Sequence, residues 1–132
     1  MKISTKGRYA LVVMLNLARN YNDDKYITLT TISEEENISL KYLEKIMNSL
    51  KKSDFFISTT GSNGGYKLKR KPEDYTIGEI IRASEENLDV VECLASEDTC
   101  PKRGKCKSYV MWKELNDDIN KLLDSKRLSD YL

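Results

Sequence analysis

The chain has 132 residues, of which 39% are hydrophobic, so it is long enough for one domain around one core. Charged residues make up 33%, the formal net charge is +1, and no apolar run reaches the roughly 20 residues of a membrane-spanning helix. No signal-peptide core follows Met1, which predicts a cytoplasmic protein. Histidine is absent, which removes the usual general base and the commonest metal ligand, so we predict that the protein is not an enzyme.

The charges are divided unevenly along the chain. Residues 1–72 carry 13 Lys and Arg against 7 Asp and Glu, whereas residues 73–132 carry 9 against 14. This division suggests that the first half faces an anionic partner, although chance also produces such a split. The predicted secondary-structure elements therefore have to decide whether the first half binds an anionic partner.

The first helices follow from apolar spacing and caps. Residues 9–18 are apolar on nearly every face and predict a buried helix. A second helix is predicted over residues 29–36, with Thr28 as its N-cap. Asn37 suits the left-handed conformation that ends a helix.

A third helix is predicted from its N-cap, Ser39, to about residue 53. Its apolar residues recur at helical spacing and predict one core face, which consists of Leu40, Leu43, Ile46, Met47 and Leu50. Two short helices separated by about three residues are typical of a helix-turn-helix.

A β-hairpin is predicted directly after these helices. Residues 55–60 are β-branched and aromatic, residues 61–65 form a glycine-rich turn, and residues 66–69 alternate with basic side chains. Because this turn joins two strands, it does not resemble a phosphate-binding loop, which leads from a strand into a helix. The predicted fold class is mainly α, a winged helix-turn-helix with a two-stranded hairpin wing and a long C-terminal dimerisation helix.

We expect three parts along the chain. These are a winged helix-turn-helix DNA-binding domain over 1–84, a cysteine-bearing loop over 85–106, and a dimerisation helix with a tail over 107–132. The first part includes a short helix near 76–83. The last helix has an apolar stripe that predicts a homodimer, made by Met111, Trp112, Leu115, Ile119 and Leu122. The alternative is that this stripe packs on the core of its own chain.

The predicted ligand of the first part is double-stranded DNA with a palindromic operator, because a dimer presents two reading helices. Lysine meets guanine or phosphate, glutamate accepts from cytosine, and a small polar hairpin tip lies along phosphates or enters a minor groove. The candidate DNA-binding residues are Lys6, Ser39, Lys41, Tyr42, Glu44, Lys45, Asn48, Thr60, Ser62 and Asn63. The alternatives are a solvated helix face with an ordinary hairpin turn, and a winged helix that binds protein.

All three cysteines fall within 14 residues, at Cys93, Cys100 and Cys106. Three thiolates are three quarters of a metal or Fe–S site. A zinc site, a thiol switch and three unconnected cysteines remain alternatives, although the spacing matches none of the common zinc-finger patterns.

Five segments in order resemble the Rrf-type family of bacterial winged-helix regulators, with its IscR-like and CymR-like branches. They are residues 1–11, 38–46, 64–68, 112–115 and 123–125. The resemblance implies a homodimeric transcription factor, in most members a repressor. In the IscR-like branch three cysteines hold an Fe–S cluster, [2Fe–2S] or [4Fe–4S], which purification in air can remove. Cys93, Cys100 and Cys106 stand in that place, which implies a sensor of cluster supply, oxidative stress or nitric oxide.

Three positions depart from the family pattern. Tyr109 and Arg8 stand where relatives place a fourth cluster ligand, so the resemblance leaves that ligand open. Thr60 stands where IscR-like wings carry an arginine. The CymR-like branch lacks the cluster cysteines and implies the alternative function, a cluster-free repressor controlled by thiol redox state or by a regulatory partner protein.

Overall fold

Five helices and one two-stranded antiparallel hairpin make up the fold in the computed structural model, which describes residues 1–62, 64–94 and 105–132. The elements in chain order are α1 (Thr5–Arg19), α2 (Leu29–Glu36), α3 (Leu40–Leu50), β1 (Phe56–Thr59), β2 (Gly65–Leu68), α4 (Ile77–Ser84) and α5 (Lys107–Ser125). The predicted fold class is confirmed.

Helix α1 runs through the centre of the domain, in contact with α3 and α4. Its side chains Ala10, Val13, Met14 and Leu17 are fully buried, as the nearly continuous apolar run predicts. Burial of this helix by its neighbours holds the helix-turn-helix and α4 around one core.

The helix-turn-helix forms at the predicted residues. The Thr28 hydroxyl accepts a hydrogen bond from the Thr31 N–H, and Asn37 ends α2 in the left-handed conformation with a φ of 54°. The Ser39 hydroxyl then caps α3 by accepting from the Tyr42 N–H at 3.2 Å. These local bonds fix the angle at which α3 leaves α2.

Helix α3 differs from its prediction at both ends. It ends at Leu50, and residues 51–53 continue as a 3-10 turn. Leu40 was predicted to lie on the core face but is exposed, because at 100° per residue it stands about 70° from the centre of the buried stripe. The remaining stripe residues are buried as predicted.

The hairpin pairs Phe56 with Leu68 and Thr59 with Gly65, one residue short of the predicted strands at each outer end. Tyr66 also exchanges two backbone hydrogen bonds with Ile27, both 2.8 Å, which ties the wing to the start of α2. Gly65 has a φ of 143°, and a side chain there would collide with the Ile27 backbone. Glycine at this position is therefore required for the wing to dock.

The tail after α5 packs on the winged-helix part, which the sequence did not predict. Residues 128–131 form a 3-10 turn with Leu128 fully buried. The Leu128 N–H donates to the Tyr75 carbonyl at 3.0 Å, and the Ile77 N–H donates to the Lys126 carbonyl at 2.9 Å. The C-terminal end of α5 is thus connected to the domain. Within the residues described, no helix is long and apolar enough to cross a membrane.

Candidate functional site

Helix α3 presents a polar face to solvent. The side chains predicted to read DNA from this helix are exposed at Ser39, Lys41, Glu44, Lys45 and Asn48. The opposite face is buried in the core, so the helix is held rigidly while its polar face stays open. A rigid helix with both charge signs on its open face is suited to hydrogen bonding in a groove.

Tyr42 is partly buried rather than fully open. Its ring packs edge-on against Tyr9 of α1, with 5.8 Å between the centroids. Tyr42, Lys6 and Lys45 line one surface groove of about 490 Å³, together with Ser4 and residues 84–87. The structure therefore brings two cations from different helices, Lys6 and Lys45, to the same groove beside the reading face.

The wing tip exposes Thr60 and Ser62, and Gly61 adopts a φ of 103°. Asn63, the third predicted tip residue, lies outside the described residues. The exposed tip lies at the end of the hairpin whose inner residues, Phe56 and Ser58, line a groove shared with α3. Wing and reading helix therefore flank one surface.

The basic residues on and directly after β2 are largely paired with acidic residues. Three of its cations form ion pairs with acids from other elements, Lys67 with Asp24 at 2.8 Å, Lys69 with Asp54 at 2.6 Å, and Arg70 with Glu79. The hydrogen bond from Lys67 holds the pKa of the Asp24 carboxyl below its usual range. The cations available to an anionic ligand are therefore those of α1 and α3, more than those of the wing.

Two of the three cysteines lie within the described residues. Cys93 and Cys106 are both partly exposed, and Cys100 lies outside the described residues. Cys106 is the N-cap residue of α5, with its sulfur 3.1 Å from the Ser108 hydroxyl. A helix N-terminus favours the thiolate, which is the form that binds metal or reacts. Among the described residues, no three Cys, Asp or Glu side chains converge on a metal site.

The segment that leads to Cys93 is held from two sides. The Asn116 amide of α5 accepts from the Val90 N–H at 3.0 Å and donates to the Asp89 carboxylate at 3.2 Å. The Met1 ammonium donates to the Val90 carbonyl at 3.2 Å. Residues 89 and 90, near the start of the predicted cysteine-bearing loop over 85–106 (the cysteine segment), thus contact both α5 and the N-terminal arm, residues 1–4, that precedes α1.

The apolar stripe of α5 is divided between two environments. Met111, Leu115 and Leu122 are exposed, whereas Trp112 and Ile119 are partly buried. The side of α5 that packs on its own chain carries polar contacts, including the ion pair of Asp124 with Arg82 of α4, and the apolar side chain of Leu123. Met111, Leu115 and Leu122 therefore form an apolar band that the described residues of this chain leave exposed.

Glu85 and Asn116, which connect the cysteine segment to the rest of the fold, were not predicted from the sequence. Asn116 interrupts an amphipathic pattern on the side of the helix that faces the domain, which was the available signal. Glu85 carried no such signal, because its partner, Ser4, lies 81 residues away.

Comparison with known proteins shows which family and which relatives this chain is similar to. The family described as Rrf2, iron-dependent transcriptional regulator, matches residues 3–132. The HTH-type transcriptional regulator IscR of Aliivibrio salmonicida is 34% identical over all of this chain and 77% of its own length. Protein rrf2 of Nitratidesulfovibrio vulgaris is 32% identical over all of this chain and 87% of its own.

Solved structures agree with these relatives. CymR, the global cysteine regulator of B. subtilis, has a TM-score of 0.78 at 35% identity and covers 98% of this chain and 95% of its own. IscR of T. potens has a TM-score of 0.73 at 32% identity and covers 98% of this chain and 85% of its own. IscR of Aliivibrio salmonicida and the family itself are named as transcriptional regulators, in agreement with the prediction that the chain is not an enzyme.

Proposed function

The chain belongs to the Rrf2 family of transcriptional regulators, and from this premise we propose that it is a homodimeric DNA-binding repressor whose operator affinity depends on an Fe–S cluster held by Cys93, Cys100 and Cys106. The exposed polar face of α3, flanked by the wing and by the groove of Lys6 and Lys45, is the observation that carries this proposal.

DNA binding is assigned to two kinds of contact. Lys6 and Lys45 supply phosphate contacts, which position the protein on the duplex. Lys41, Glu44 and Asn48 reach base edges, where lysine donates to guanine and glutamate accepts from cytosine. Thr60 and Ser62 contact the backbone from the wing, since they are short and polar.

The homodimer is assigned to the apolar band of α5. Met111, Leu115 and Leu122 would be covered by the same residues of a second copy, because a two-fold axis sets one surface against itself. Two copies then place their α3 helices in successive turns of the major groove, about 34 Å apart. This arrangement predicts a palindromic operator.

The donor chemistry of the cysteine segment fits an Fe–S cluster. Cys93 and Cys106 are partly exposed, and Cys106 stands at the N-terminus of a 19-residue helix. Thiolates are the usual ligands of such clusters, and a cluster bound there supplies a centre that oxidants and nitric oxide attack. Tyr109 occupies the place of the histidine ligand of IscR-like proteins, so the fourth ligand differs from theirs.

The described residues supply a route from this segment to the DNA surface. Asn116 joins Asp89 and Val90 to α5, and the Met1 ammonium joins Val90 to the N-terminal arm. A rearrangement of the cysteine segment therefore acts on the dimer helix and on the arm that precedes α1. Such a rearrangement alters operator affinity to the extent that the two arrangements bind DNA differently.

The cluster is tested with protein purified without oxygen. We expect visible absorption, with iron and sulfide in one stoichiometric set per chain, and loss of all three signals in a Cys93→Ser and a Cys106→Ser variant. Ser108→Ala is the matched control, since it alters the neighbour of Cys106 without removing a thiol. A colourless wild type that also refuses reconstitution would contradict the cluster and leave DNA binding in place.

A second function is favoured by the similarity to CymR of B. subtilis and by the partial exposure of Cys93 and Cys106. In this reading the cysteines respond to thiol redox state without a cluster, or a partner protein controls the repressor. It predicts a colourless protein in which mass spectrometry finds disulfides that form with peroxide and disappear with dithiothreitol, with a parallel change in operator affinity.

A further inference from the structure

The reading helix carries one exposed apolar side chain. Leu40 is 42% exposed, whereas every other large apolar residue of α3, from Leu43 to Leu50, is buried. Single exposed leucines are common on protein surfaces, so exposure alone carries no argument. The position of Leu40 is what distinguishes it.

Leu40 is the first residue of α3, directly after the cap Ser39. Side chains lean toward the N-terminus of their helix, so Leu40 projects past the end that a helix-turn-helix inserts into the major groove. Its neighbour one turn along is the exposed Glu44, and the next residue is the exposed Lys41. An apolar group therefore lies among the polar groups that face the ligand.

We propose that Leu40 is a specificity-determining residue whose methyl groups contact the C5-methyl group of a thymine in the operator. The inference rests on the proposed DNA-binding function. Thymine is the base whose major-groove edge carries a methyl group, and apolar side chains recognise it where lysine and glutamate do not. Contact would remove from water both that methyl group and the exposed surface of Leu40.

The test removes the thymine methyl group and nothing else. The wild type first selects a preferred site from a random duplex library, and each thymine of that site is then replaced by deoxyuridine, one symmetric pair at a time. Fluorescence anisotropy measures the Kd. We expect one pair to lower wild-type affinity about fourfold per half-site, the effect of one buried methyl group. Leu40→Ala should bind both duplexes equally.

Two variants control this comparison. Ile57→Ala removes an apolar side chain of similar exposure, 39%, from the hairpin face that lies with Tyr21 and Lys67, away from α3. It should keep the wild-type response to deoxyuridine. Leu40→Met keeps an apolar side chain and should keep most of the response, and thermal denaturation verifies that each variant is folded.

The outcomes separate this inference from the function on which it rests. A wild type that selects a site but responds to no deoxyuridine overturns the role of Leu40 and leaves DNA binding intact. The same holds if Leu40→Ala responds as strongly as the wild type. A wild type that selects no site overturns the DNA-binding function, and the role of Leu40 with it.

Discussion

The carboxylate of Glu85 accepts two hydrogen bonds from Ser4, one from its backbone N–H at 2.8 Å and one from its hydroxyl at 2.7 Å. Ser4 is the N-cap of α1, and Glu85 follows the last residue of α4. A negative charge at a helix N-terminus is favourable, because it meets the unpaired N–H groups and the positive end of the helix dipole. This pair fastens the start of α1 to the beginning of the cysteine segment.

Replacement of Glu85 by alanine should therefore destabilise the fold. Hydrogen bonds to a charged group are worth about 1.5–3 kcal/mol, and we expect a loss of about 1–3 kcal/mol in the free energy of unfolding, measured with urea. Glu86→Ala is the matched control, because Glu86 is exposed, and its change should stay within about 0.5 kcal/mol. Equal effects of the two substitutions would mean that the Ser4 contact contributes little.

The pH dependence of stability should depend on Tyr75. Its hydroxyl donates to the Phe55 carbonyl and accepts from the Arg70 N–H at 3.0 Å, and burial raises its pKa. The unfolded chain therefore releases the phenolic proton at lower pH than the native protein, so native stability falls as the pH rises above about 10.

Tyr75→Phe should accordingly lose about 1–3 kcal/mol of stability at neutral pH, since the Arg70 N–H loses its acceptor and the Phe55 carbonyl keeps only the Lys69 N–H. Its stability should also fall less steeply from pH 9 to 11. Urea titrations across this range measure both effects. Tyr131→Phe, at an exposed position, should reproduce the wild-type profile. A parallel alkaline loss in Tyr75→Phe would assign the pH dependence to other groups.

The apolar band of α5 should determine the oligomeric state. Leu115→Glu introduces a charge into this band, and burying it in a dimer would be costly, so we expect monomers by sedimentation velocity at micromolar concentration. Lys121→Glu introduces the same carboxylate on another face of the helix and should remain dimeric. Dimers of Leu115→Glu would place the interface elsewhere.

Substitution of an unpaired lysine should weaken DNA binding more than substitution of a lysine that is held in an ion pair. Among the described residues Lys45 has no carboxylate partner, whereas Lys69 pairs with Asp54. Lys45→Ala should weaken binding to all duplexes and reduce the slope of log K against log salt by about one per chain, because fewer counterions are released. Lys69→Ala should leave that slope near its wild-type value. A reversed order would show that the wing, and not α3, meets the phosphates.

Local signals in the sequence were sufficient for most of the helix-turn-helix. Thr28, Asn37 and Ser39 specify where α2 begins, where α2 ends and where α3 begins. They act through contacts within a few residues, so these helix ends could be predicted directly. The exposure of Leu40 could not be predicted, because a helical stripe alone does not show where the core ends at the first turn of the helix. The apolar band of α5 was predicted from spacing, but the stripe alone does not show that its own chain leaves it uncovered.

Contacts between distant parts of the chain were outside the reach of sequence patterns. The pairing of Lys67 with Asp24 spans 43 residues, and it converts a basic strand into a nearly neutral one. The hydrogen bond from the Leu128 N–H to the Tyr75 carbonyl likewise depends on where α5 returns the chain. Each depends on the assembled fold rather than on a local propensity.

Control of DNA binding by the cysteine segment is the central claim, and the Kd of the selected operator, measured without oxygen for the wild type and for Cys100→Ala, tests it most directly. We expect the two Kd values to differ about tenfold, within the usual range of coupling between two sites. Lys102→Ala, in the same segment, should bind as the wild type does. If Cys100→Ala and the wild type bind the operator equally well, both with iron present and after the iron is removed, control of DNA binding by the cysteine segment is contradicted.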